Sequence, residues 1–110
     1  MPTAEALLEL LPAESGGLRS ALPAGTRSLI IGFPPIEEPG AEVKYGAVID
    51  TADGSALIPG TAGIPVTVRF WADEAAIYAV PGAAFTLWYG RPVGTGAVTW
   101  LDDVVATARP

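Results

Sequence analysis

Chain breakers recur so often in this sequence that no long helix fits between them: 110 residues contain 13 glycines and 11 prolines. Proline removes a backbone donor and fixes φ, and glycine raises the entropic cost of ordering, so both cut regular helices short. The stretches left over are brief and favour strands. Residues 28–33 (Ser-Leu-Ile-Ile-Gly-Phe) form a β-branched run. Val43, Tyr45, Ala47 and Ile49 alternate with Lys44, Gly46 and Val48, which places one set on a more buried face. Residues 64–71 give the cleanest alternation: Ile64, Val66, Val68 and Phe70 against Thr67, Arg69 and Trp71, with Pro65 near the start, where a strand tolerates it. Phe85-Thr86-Leu87-Trp88-Tyr89 is a further strand, Gly90-Arg91-Pro92 a tight turn, and residues 93–101 a returning strand dotted with Gly94 and Gly96. Residues 6–11 (Ala-Leu-Leu-Glu-Leu-Leu) are ambiguous, since their composition favours helix while Leu8 and Leu10 about Glu9 permit strand. Residues 72–80 allow a helical turn that Pro81-Gly82 ends.

Six such segments at short spacing indicate an all-β barrel or sandwich. The expected organisation is one domain over residues 1–101 and an exposed tail over 102–110. Asp53-Gly54 is a hairpin turn. Pro34-Pro35-Ile36-Glu37-Glu38-Pro39-Gly40 is an acidic loop, because its three prolines would remove three ladder donors.

Composition removes whole classes of function. Half the residues are hydrophobic and 16% are charged, too apolar for a disordered protein. Twelve acidic residues against six basic ones give a net charge of −6, which argues against general electrostatic binding of nucleic acid. The chain has neither Cys nor His, so it has no disulfide, no thiolate metal site and no imidazole base. The longest uncharged stretch, residues 75–90, is broken by Pro81-Gly82 and is too short to span a bilayer. The start lacks a basic signal-peptide region, and a soluble cytoplasmic protein is expected.

Candidate chemical groups mostly reduce to structure. Glu37, Glu38 and Glu42 could meet a cation or a basic partner, but neighbouring carboxylates on a loop read first as a solvated surface. Asp50 and Asp53 lack the rest of a calcium loop. Gly94 and Gly96 have no following helix or Lys to make a phosphate cradle, so they mark a close strand approach. The serines lack an activating imidazole, and no enzyme or cofactor is indicated. Trp88 and Tyr89 are sequence neighbours on a strand and cannot both face inward, so one of them is expected at the surface beside Arg91. An exposed aromatic beside Arg has the composition of a protein-binding hot spot.

Two stretches resemble the third domain of translation elongation factor Tu. The first is Leu10-Leu11-Pro12-Ala13-Glu14-Ser15-Gly16-Gly17, followed by Gly25-Thr26-Arg27; the second runs from Phe85 through Trp88-Tyr89-Gly90-Arg91-Pro92-Val93-Gly94-Thr95-Gly96 to Val98. Ile58-Pro59-Gly60 and Pro81-Gly82 fall between them at matching distances, so the likeness covers most of residues 5–101. The resemblance implies a six-stranded antiparallel closed barrel and makes residues 6–11 a strand. It also implies a binding role, since that domain packs on a GTPase domain and holds the T-stem of aminoacyl-tRNA.

The positions carrying tRNA contacts in the family depart here. Tyr45-Gly46 stands for Thr-Gly, Ser28-Leu29 stands for Pro-Gln, and the final hairpin is shorter and apolar. The loop from Phe33 to Glu42 is longer and adds three carboxylates. The expectation is therefore a non-catalytic protein-binding module, of decoy or immunity type, engaging an unidentified protein through Trp88, Tyr89, Arg91, Glu37 and Glu38. The alternative is a barrel that keeps tRNA binding, for which Arg19, Arg27 and Arg91 would have to meet in space. A third possibility, a ligand inside the barrel, conflicts with the small interior of six strands.

Overall fold

The computed structural model describes residues 2–34 and 41–102. It contains six strands: β1 (Thr3–Leu10), β2 (Ile30–Phe33), β3 (Val43–Thr51), β4 (Ile64–Phe70), β5 (Ala84–Trp88) and β6 (Pro92–Asp102). Hydrogen bonding runs in the order β1-β4-β3-β2-β5-β6 and returns from β6 to β1, with every pairing antiparallel. The wall is a closed barrel and not a sandwich. β6 includes Asp102, which pairs with Thr3, so the strand runs one residue into the expected tail; residues 103–110 lie outside the described part. No helix among the described residues is long and apolar enough to cross a membrane.

The locally ambiguous segment is a strand. Ala4, Ala6, Leu8 and Leu10 are buried, while Glu5, Leu7 and Glu9 between them are exposed. That period of two lets β1 pair with β4 on one side and β6 on the other, and two ladders outweigh a helical preference of a few tenths of a kcal/mol per residue. Pro65 in β4 accepts a hydrogen bond from Ala52 N–H, so its own nitrogen also faces β3, beyond the last ladder pair Thr51–Val66. It therefore removes no donor from the β1 ladder.

Large side chains fill the interior: Leu8, Ile31, Phe33, Ile49, Val68, Phe70, Leu87 and Val93 are all essentially inaccessible to solvent. The glycines of β6 make room for this packing. A Cβ at Gly96 would lie 2.4 Å from the Phe85 ring, and one at Gly94 would lie 2.6 Å from the Glu9 carbonyl oxygen. Where β6 bulges opposite Glu5 and Ala6, the Thr99 hydroxyl donates to the Glu5 carbonyl at 3.1 Å.

The two ends of the barrel are built differently. At the end where β2 and β4 finish, the Phe33 ring lies 5.8–6.5 Å from the rings of Tyr45, Phe70, Tyr78 and Phe85. A short 3-10 helix, Asp73–Ile77, and the turn after it cover them, with Ala75 and Ala79 fully buried. The Tyr45 hydroxyl donates to the Glu74 carboxylate at 2.5 Å and ties this cover to β3. At the other end, residues 11–29 wrap the mouth. They are held by isolated bridges, Leu22 to Leu57 and Thr26 to Ile49, and bury Leu18, Leu29 and Leu57.

Candidate functional site

The site forms where the two motif stretches meet at this second end. A 3-10 turn, Ala13–Ser15, ends at Gly16, whose φ of +94° is a left-handed conformation that glycine adopts without strain. Gly17 follows, and a Cβ there would come within 2.0 Å of the Leu11 carbonyl oxygen. This tight return aims the carbonyls of Gly16 and Gly17 at Arg91. Arg91 Nε donates to the Gly16 carbonyl at 2.8 Å and Nη2 donates to the Gly17 carbonyl at 2.9 Å. Arg91 itself sits in the turn between β5 and β6, where Tyr89 N–H donates to the Arg91 carbonyl at 2.9 Å. Segments some 75 positions apart in sequence are thus joined by one guanidinium.

Beside this junction lies a cleft of about 190 Å³ lined by Leu18, Arg19, Ser20, Leu22, Tyr89 and Arg91. Leu18 forms a buried floor, Leu22 is half-buried, and the Tyr89 ring is 44% exposed. Arg19 is exposed and makes no hydrogen bond or ion pair with any described residue. The cleft therefore carries two guanidinium groups that form no ion pair with a described carboxylate. Arg69 differs: it donates to Asp50 at 2.9 Å on the outer wall.

Of the residues singled out from sequence, Tyr89 and Arg91 line the cleft and Trp88 does not. Trp88 is half-buried against the outer wall. Its Nε1 donates to Glu42 at 2.6 Å, and Lys44 Nζ lies 3.9 Å from its ring centroid. Tyr89 is exposed, but β5 ends at Trp88, which follows buried Leu87 and lies on the outward face, so neither ring enters the interior and strand alternation does not decide between them. Glu37 and Glu38 lie outside the described residues, whereas Glu42 is held by the Trp88 indole and is not a freely solvated charge. Arg19 and Arg91 share the cleft, but Arg27 stands over Trp71 at 5.8 Å, so the three arginines do not meet. Asp50 and Asp53 have separate partners. Asp53 accepts hydrogen bonds from the hydroxyl and N–H of Ser55, which hold its carboxyl below the usual aspartate value.

Sequence reasoning missed the wrap of residues 18–29 and with it the apolar floor of the cleft. Two one-residue bridges leave no periodic signal to read. It also missed the Trp71 surface, where the indole rests over Gly46 of β3, beside Ile30 of β2. Lysine or arginine stacks on the tryptophan at each side of this strip, a favourable cation–π arrangement. No family model matches the sequence, and no curated protein matches it.

Proposed function

We propose that this barrel is a non-catalytic, cytoplasmic protein-binding module whose contact surface centres on Tyr89 and Arg91. The observation that carries this reading is the exposed Tyr89 ring beside an Arg91 guanidinium fixed by two carbonyls. An aromatic with few rotatable bonds and a pre-oriented Arg lose little entropy on binding, which is why such pairs act as anchors. The likeness of the Glu14–Gly17 and Gly90–Gly96 stretches to the third domain of elongation factor Tu supports a binding role over a catalytic one. The lack of His and Cys anywhere in the sequence supports it as well. Within this reading the barrel acts as a decoy or immunity-type protein, presenting the shape of a translation factor to an effector that grips one.

The test is site-specific photocrosslinking in lysate of the source cells, with the photoreactive residue at position 89 or, as a control, at Trp100. Trp100 is exposed on the far part of β6, opposite Glu5. A discrete protein adduct at 89 that is missing at 100 is expected. No adduct at 89, or the same adducts at both positions, overturns the reading. Two of the three arginines that tRNA binding would bring together, Arg19 and Arg91, share the cleft, and that pair is what supports retained tRNA binding as the second reading. Filter binding decides it: retention of tRNA that falls steeply as salt rises would replace the protein-binding proposal with this one.

A further inference from the structure

We infer that the cleft between Arg19 and Arg91 receives a carboxylate borne next to an aliphatic side chain, the chemistry of an acidic or C-terminal segment of a protein. This rests on the protein-binding reading and specifies what the partner presents. Three features select the ligand. The first is charge. Gly16 and Gly17 carbonyls orient the Arg91 guanidinium but carry no formal charge, and Arg19 has no partner among the described residues. Two arginines thus line one cleft without an ion pair among the described residues, in a protein of net charge −6. An oxyanion is what such a pair lacks, and charge-assisted bonds to arginine are about twice as strong as neutral ones.

The second feature is the lining. Leu18, Leu22 and the Tyr89 ring make one side apolar, while Ser20 adds a hydroxyl donor beside the arginines. A bare anion would leave that apolar side in water. A carboxylate attached to a leucine-sized group covers it and gains from its burial, at about 25 cal/mol per Å². The third is size. At about 190 Å³ the cleft is smaller than the roughly 300–1,000 Å³ of most small-molecule sites, so it suits one residue with its carboxylate. A nucleic acid is disfavoured here, because a phosphate backbone calls for a track of cations and two arginines line this cleft.

The experiment is a backbone-amide NMR titration of the full-length protein with four probes: N-acetyl-leucine, N-acetyl-leucinamide, N-acetyl-Asp-Leu-amide and inorganic phosphate. Expected are saturable shifts confined to residues 18–22 and 89–91 with at least one carboxylate probe, and none with the leucinamide. N-acetyl-leucine binding tighter assigns the free carboxyl end of a polypeptide; Asp-Leu-amide binding tighter assigns an acidic residue within one. Arg19→Gln should weaken the better probe about tenfold, the scale of one lost charge-assisted hydrogen bond. The spectrum should otherwise stay native, because Arg19 supports no described residue. Shifts equal with the leucinamide, equal with phosphate, absent altogether, or unchanged in Arg19→Gln would each overturn the assignment. A protein adduct at position 89 without any carboxylate response removes this inference alone. A carboxylate response without an adduct removes the protein-binding reading and leaves the cleft's chemistry intact.

Discussion

The two mouths of this barrel solve the same problem with different materials. One is shut by rings: Phe33 touches four other aromatics, and a 3-10 helix seals them with the Tyr45–Glu74 hydrogen bond. The other is shut by backbone: a glycine turn, two single-residue bridges and an arginine that grips carbonyls. Aromatic packing satisfies its own rings, while Ile77 and Val80 of the cover and Trp71 beside it stay exposed. Backbone closure leaves side chains over, and those of Arg19, Tyr89 and Arg91 line a cleft. On the proposed reading, stability and binding are assigned to opposite ends of one small domain.

That division predicts unequal responses to substitution. Phe33→Ala should cost the most, about 3–5 kcal/mol, as expected for a buried phenylalanine, read by urea denaturation. A loss below about 1 kcal/mol would deny the aromatic end its role. Gly17→Ala comes next. Its methyl would meet backbone within 2.0 Å, so the turn must move, at about 1–3 kcal/mol, and the Arg91 Nε resonance should shift as its acceptors are displaced. An unshifted resonance would break the link between turn and cleft.

Tyr45→Phe should cost about 1 kcal/mol at neutral pH, the worth of one hydrogen bond. Burial, then the hydrogen bond to Glu74 and its charge, push the Tyr45 hydroxyl well above the usual tyrosine value. Folding therefore favours the protonated form. The resulting stability is fully present below the unfolded pKa of about 10 and is lost as pH rises beyond it. The wild type should weaken more steeply above pH 10 than Tyr45→Phe, and parallel profiles would contradict this. Tyr89→Ala should change stability least, within about 0.5 kcal/mol, since the ring stands at the surface. A larger loss would mean that the second mouth depends on its aromatic after all.

Much of the wall was readable from side-chain alternation. β4 follows it closely, with Val66, Val68 and Phe70 buried at every second position, and β3 follows it except at Val48, which is buried between Ala47 and Ile49. β1 was not readable locally, because alanine and leucine carry no strand preference and only the pairing to β4 and β6 decides it. The site divides in the same way. Tyr89 beside Arg91 is a local arrangement and was legible. Arg91 is held by the Gly16 and Gly17 carbonyls and shares its cleft with Arg19, and Glu42 finds Trp88 from 46 residues away; such meetings depend on closure of the whole ring.

The pairing of β1 with β6 carries a consequence for how the molecule comes into being. β1 must wait, with one flank unsatisfied, until β6 arrives to lie along it. Long-range pairings of this kind are slow to form. A nascent polypeptide therefore stays sticky along that flank until residues 92–102 have emerged, and the closed ring then offers no open strand for a neighbouring molecule to extend.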